Sequence, residues 1–153
     1  MANTYSQIHL QIVFAVKYRD GLIRPDFQIQ LYQYIHGIIS HHTHKVLAIN
    51  GMPDHVHILI GLRPTQSVSD LVQIIKANSS KWINEEKFLP VKFEWQAGYG
   101  AFSYSKSQIE IIIDYINNQE NHHRKKTFHE EYLGLLKTYE IDYDELYVFG
   151  EPI

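Results

Sequence analysis

The run Ile8–Val16, "IHLQIVFAV", constrains the fold more than any other stretch. Ile8, Leu10, Ile12, Phe14 and Val16 recur at every second position, with His9, Gln11 and Val13 between them. Successive side chains of a strand alternate between faces, so this is a strand with one apolar face and one mostly polar face. Beyond Arg24-Pro25, Phe27, Leu31, Ile35, Ile38 and Ile39 fall at helical spacing through to the His41–His44 region. Lys45–Met52 reads as a second strand, Pro53-Asp54 as a tight turn, and residues 55–62 as a third strand.

A cap signal, Ser67 to Asp70, precedes Leu71, Ile74, Ile75, Asn78 and Trp82 and predicts a helix over roughly 68–87. Gly98–Ser105, "GYGAFSYS", supplies a final strand. Ser105 to Gln108 is a second cap, ahead of Ile109, Ile112, Ile113 and Ile116, and the helix it opens should run to about His122. The order β-α-β-β-α-β-α predicts an α+β fold. It is a ferredoxin-like (RRM-like) antiparallel sheet with helices on one face and an added C-terminal helix. The first and third strands are then neighbours at its centre, and their less apolar faces combine His9 and Gln11 with His55 and His57. A polar concavity there is expensive unless it is occupied or hydrogen-bonded.

"MPDHVHILI" places His55 and His57 on one side of the third strand, with Val56, Ile58 and Ile60 on the other. Paired ring nitrogens suit a metal ion, and a paired polar edge would read identically. On the third helix, Tyr115 and Gln119 are i and i+4 and share a polar flank beside the isoleucine stripe. That flank can supply a nucleophile and a third metal ligand, and His122 continues the same side one turn on. Asp54 is placed either to orient a ligand histidine or to serve the turn.

The chain has 153 residues and no cysteine, which predicts one domain with a proper core, without disulfides or thiolate metal sites. No apolar run approaches a membrane span and no leader pattern is evident, so a soluble, cytoplasmic protein is expected. The net charge is −3, unevenly spread. Residues 130–153 hold seven carboxylates, Glu131 among them, against Lys137 alone, leaving the body modestly basic and able to hold a phosphate backbone locally.

From about Tyr5 to Glu131 the sequence resembles the single-tyrosine HUH transposases of the insertion-sequence 200/605 type. The stretches "FAVKYRDGLI", "GMPDHVHILI", "FEWQAGYGAFSYSKS" and "YINNQENHHRKKTFHEEY", in that order, carry the resemblance. The histidine-hydrophobic-histidine element falls on His55, Val56 and His57, the tyrosine of the Y-x-x-x-Q motif on Tyr115 and the glutamine on Gln119. The resemblance implies cleavage and rejoining of single-stranded DNA at hairpin-flanked ends, through a 5′-phosphotyrosine formed by Tyr115. It also implies a homodimer, often with the tyrosine helix of one subunit completing the metal site of the other. A phenol is a poor nucleophile near neutral pH and a phosphodiester is already anionic, so a divalent cation is expected, magnesium or manganese. His55, His57 and Gln119 would hold it, with His122 or His123 as substitutes for the amide.

Lys17, Arg19, Arg124, Lys125 and Lys126 are candidate DNA contacts, with Arg24, Arg63, Lys76 and Lys81 as further charges along a path. Trp95, Tyr99, Phe102 and Tyr104 could stack on unpaired bases, although core packing is the commoner use of such residues. The expected organisation is a transposase domain over residues 1–131 and an acidic tail over 132–153, packed on the same domain or on a partner subunit. Three other functions fit parts of the pattern. They are a hairpin DNA- or RNA-binding module without strand-transfer activity, a replication-initiator or relaxase-type nickase, and a metal-dependent hydrolase.

Overall fold

The computed structural model describes residues 3–143. Four strands, β1 (His9–Ala15), β2 (Lys45–Met52), β3 (His55–Gly61) and β4 (Gly100–Tyr104), form one antiparallel sheet in the order β2-β3-β1-β4. β1 and β3 are central, as the split βαβ pattern requires. Helices α1 (Pro25–His41) and α2 (Val68–Glu86) cover one face. The other face carries α3 (Ile109–Asn117), the short α4 (Gln119–His122) and α5 (Phe128–Thr138).

The alternation in β1 is thus resolved into two covered faces rather than one buried and one solvated. Ile12, Phe14 and Val16 pack with Phe27, Leu31, Ile35, Leu71 and Ile75, while Val13 and Ala15 pack with Leu59, Phe102, Ile116 and Phe128. Full burial of each large apolar side chain contributes about 1.5–3 kcal/mol, so both layers hold the sheet. The expectation of helices on one face plus an added helix is met in that form, with the added helices closing the second face.

Local signals set the element ends. Pro25 stands at the first turn of α1, where a missing N–H costs nothing. The Ser67 side chain accepts from Asp70 N–H at 3.1 Å to start α2, and Lys87 ends it in the left-handed conformation. Gly51 faces the start of β3 so closely that a Cβ there would lie 2.2 Å from the His55 carbonyl oxygen. The β2–β3 hairpin therefore needs glycine at this position.

One element differs from expectation. The third helix stops at Asn117 because Asn118, at φ −107° and ψ 25°, leaves the helical region, and Gln119 opens a separate turn. α5 is continuous across residue 132, and Leu136 and Tyr139 pack on the same sheet face as the residues before it. The part of the acidic tail from 144 to 153 lies outside the described residues.

Candidate active site

β3 begins directly after the Pro53-Asp54 turn, and alternation sends His55 and His57 to the face beneath α3–α5, fully buried, with ring centroids 5.1 Å apart. Their register partners on β1 are Ala15 and Val13, small enough to leave the rings room. His55 Nδ1 lies 2.7 Å from Asp54 Oδ1, so the turn aspartate also orients this ring. His57 Nδ1 lies 2.7 Å from Gln11 Oε1. His9, expected in the same concavity, sits two positions further along β1, outside the cluster.

α3 carries Tyr115 over this face. Asn50 of β2 donates to the Ile116 carbonyl at 3.0 Å and ties the end of α3 to the sheet. Despite the break at Asn118, Gln119 stays beside Tyr115 and is fully buried, with Oε1 3.2 Å from His55 Nε2 and 3.2 Å from His123 Nε2. The His122 ring lies tilted against Tyr115 at 4.5 Å between centroids, so of the two substitute ligands His123 enters the cluster and His122 flanks the phenol.

The residue that joins these groups is Glu131, counted from sequence as part of a solvated acidic end. It is only 6% exposed. Its Oε1 lies 3.0 Å from His57 Nε2, 3.1 Å from His123 Nε2 and 3.5 Å from His55 Nε2, and its Oε2 accepts from the Tyr115 hydroxyl. Thr127 and Glu130 form a capping box that starts α5 and fixes the angle at which Glu131 enters. A sequence signal for it exists: Phe128, Glu131 and Leu135 fall at i, i+3 and i+7, which places a carboxylate within an apolar stripe.

The electrostatics follow from this crowding. Burial opposes ionisation of Glu131, yet the facing imidazoles of His123, His55 and His57 outweigh it and hold the carboxyl well below its ordinary range. Burial also works against a charged His55, but Asp54 and Glu131 prevail and push it up to about 9. His57 goes the other way, because its burial outweighs Glu131 and the neutral ring is favoured. Burial, then the Glu131 carboxylate, raise the Tyr115 phenol above its usual value.

Most of the other sequence candidates lie outside the cluster. Lys17 pairs with Glu94 at 3.2 Å, Arg19 is exposed in the following 3-10 turn, and Arg124 faces Glu120 at 3.8 Å. Lys125 and Lys126 are exposed in the α4–α5 connection. Trp95 packs edge-on against Phe14 and donates to Ser79 at 2.9 Å, and Phe102 and Tyr104 are buried. Tyr99 alone of that aromatic set is exposed, at 38%.

One nitrogen each of His55 and His57 and one oxygen of Glu131 lie within 4.8 Å of one another. Around a small divalent ion bound at about 2.1 Å, ligand atoms stand roughly 3–4 Å apart, so modest tightening would close this set. Two imidazoles and a carboxylate, with an amide oxygen beside them, also have the donor chemistry of a divalent-cation site. The residues present therefore fit the cation that the sequence resemblance implies, with Glu131 added to the expected donors.

Fold and site together define an α+β protein of the ferredoxin-like type, in which a tyrosine on a covering helix meets paired histidines on a central strand. The family model for IS200-like transposases matches residues 4–119, and the chain belongs to that family. It is 28% identical over 121 residues to the ISDra2 transposase TnpA of Deinococcus radiodurans, an alignment covering 75% of this chain and 86% of that one. It is 27% identical over 125 residues to the transposase for insertion sequence element IS200 of Salmonella typhimurium, covering 78% and 81%. Among solved structures, a candidate transposase from Deinococcus radiodurans R1 shares the fold with a TM-score of 0.61 and 23% identity, over 78% of this chain and 96% of that one. A REP-associated tyrosine transposase bound to a REP hairpin does so with a TM-score of 0.60 and 18% identity, over 100% and 97%. No helix among the described residues is long and apolar enough to cross a membrane.

Proposed function

We propose that this transposase cuts and rejoins single-stranded DNA beside hairpins, with Tyr115 as nucleophile and a divalent cation held by His55, His57 and Glu131, with Gln119 as a fourth donor. The observation that carries the reading is the shared carboxylate. Within a single chain, the Tyr115 hydroxyl and the Nε2 atoms of His55 and His57 all converge on Glu131. This supports assembly of the site in cis.

In the proposed reaction the Tyr115 oxygen attacks a backbone phosphorus. A tyrosine–phosphorus bond forms, the bond to the 3′ oxygen breaks, and a 3′-hydroxyl leaves once its oxygen gains a proton. A second 3′-hydroxyl then attacks the 5′-phosphotyrosine, reseals a strand and returns the phenol. Magnesium or manganese, when bound, would polarise the phosphate and stabilise charge on the leaving oxygen. Glu131 stands within reach of the phenol proton, Asp54 and Gln11 orient the histidines, and the α3–α5 layer limits water. Lys17, Arg19, Arg124, Lys125 and Lys126 are the proposed phosphate contacts on the flanking strand. A homodimer acting in the cytoplasm on hairpin DNA completes the reading, and the hairpin bound by the REP-associated relative supports that choice of partner.

A second reading is a hairpin-binding module that retains the fold without strand transfer. It draws on the Tyr115 hydrogen bond to Glu131, which holds the phenol protonated. One experiment separates the two. Labelled hairpin-containing single-stranded DNA is incubated with the protein and manganese and resolved on a denaturing gel. A covalent adduct that disappears in Tyr115→Phe and in chelator is expected. Persistence in Tyr115→Phe overturns the nucleophile, persistence in chelator overturns the cation, and hairpin binding without any adduct supports the second reading.

A further inference from the structure

A buried chain of polar contacts crosses the sheet from β4 to the site. Gln11 Nε2 donates to the Tyr104 hydroxyl oxygen at 2.7 Å, Gln11 Oε1 lies 2.7 Å from His57 Nδ1, and His57 Nε2 lies 3.0 Å from Glu131 Oε1. Gln11 is fully buried, and its register partners are Leu59 on β3 and Phe102 on β4. An amide in such surroundings costs stability unless both its ends are satisfied, and here both are.

We propose that Gln11, with its amide oriented by Tyr104, is the positioning residue that decides which ring nitrogen of His57 carries the proton, and so presents the Nε2 lone pair to the cation. This rests on the metal reading above for its purpose, though not for its geometry. An amide oxygen has no hydrogen to give, so with Oε1 toward the ring the proton sits on Nδ1. A neutral ring then turns a lone pair toward Glu131 Oε1, itself an acceptor. A cation between them would turn these two facing acceptors into two ligands.

Reversing the amide exchanges its ends. The NH2 group would donate to Nδ1, the ring proton would move to Nε2, and that N–H would donate to Glu131. No lone pair would remain for a metal. The Tyr104 hydroxyl accepts from the amide nitrogen at 2.7 Å, and this contact favours the first arrangement. His55 needs no such selection. Its Nδ1 faces Asp54, a carboxylate that accepts from either oxygen. The paired histidines are thus fixed by different means. A neutral amide at His57 orients the ring without placing a second buried negative charge near Glu131.

The test uses the full chain labelled with 15N-histidine, as wild type, Gln11→Leu, Gln11→Glu and Tyr104→Phe, without metal and with magnesium, together with manganese titrations. In wild type, His57 should show a protonated Nδ1 and a lone pair on Nε2. Gln11→Leu should weaken manganese binding about 10- to 100-fold and move the ring proton to Nε2. Gln11→Glu, which offers an acceptor alone, should keep the proton on Nδ1 and restore affinity to within a few-fold. Should Gln11→Leu fail to fold, the contrast between Gln11→Glu and Tyr104→Phe decides, with a mixed tautomer expected only in the latter. A proton on Nε2 in magnesium-loaded wild type, or the same tautomer and affinity in every variant, would overturn the proposal. Absence of manganese binding by wild type would refute the metal reading instead, and the metal-free tautomers would still test Gln11.

Discussion

Replacing Glu131 with glutamine keeps the shape of the side chain and removes the charge that faces three imidazoles. Its Oε1 lies 3.5 Å from His55 Nε2. Because both charges are delocalised, an effective separation of about 5 Å and a dielectric near 20 are appropriate, giving roughly 3 kcal/mol, or about 2 pKa units. The His55 value, held up at about 9 in the parent protein, should therefore fall to about 7 in Glu131→Gln. The consequence can be read in stability. A histidine whose folded pKa is raised stabilises the fold fully below its unfolded value near 6.5, and that contribution is lost as pH rises toward the folded value.

Between pH 6.5 and 8 the parent should lose about 1.5 kcal/mol from this group, and the variant less than about 0.5. The window avoids Lys76, whose burial lowers it to about 8 and adds the opposite slope above that pH. It also avoids most of the effect of His57, held neutral, whose contribution rises with pH mainly near and below 6.5. Urea unfolding in chelator at quarter-unit steps of pH, with NMR titration of His55, provides both measurements. Equal slopes for parent and variant, or an unchanged His55 midpoint, would refute the electrostatic account of Glu131.

Two substitutions probe how the site is held in place. Gly51→Ala drives a Cβ into the His55 carbonyl oxygen at 2.2 Å, a backbone clash that no side chain can relieve, so a loss of at least 2–3 kcal/mol in chemical denaturation is expected. Thr127→Ala removes the hydroxyl that accepts from Glu130 N–H at 3.2 Å and should cost about 1 kcal/mol. Faster amide exchange should be confined to the first turns of α5, and uniform protection there would count against the cap.

The sequence exposed the sheet well because each strand and helix advertises its own period. The alternation of Ile8–Val16, the cap at Ser67 and the isoleucine spacing of 109–116 all arise from local geometry, and the faces they implied for His55, His57 and Tyr115 are those observed. What it hid were the meetings between elements. Glu131 stands in "HEEY", where adjacent charges read as solvated, and its burial depends on α5 returning over β3 from 74 residues beyond His57. His123 was legible as a substitute ligand for Gln119, but its meeting with Glu131 at 3.1 Å stayed hidden with the return of α5. Gln11 was visible as a polar residue in an apolar strand. Its partner Tyr104 could not be known before the β1–β4 register was.

The roof formed by α5 has a consequence for any anionic ligand. An incoming phosphate oxygen would find the imidazoles already engaged by a negative group built into the protein, and would be repelled by it until a cation or a shift of Glu131 intervened. Occupancy of the inner chamber must therefore draw on attachment made elsewhere along the ligand. A short fragment lacking that outer grip should be excluded however well its phosphate matches the centre.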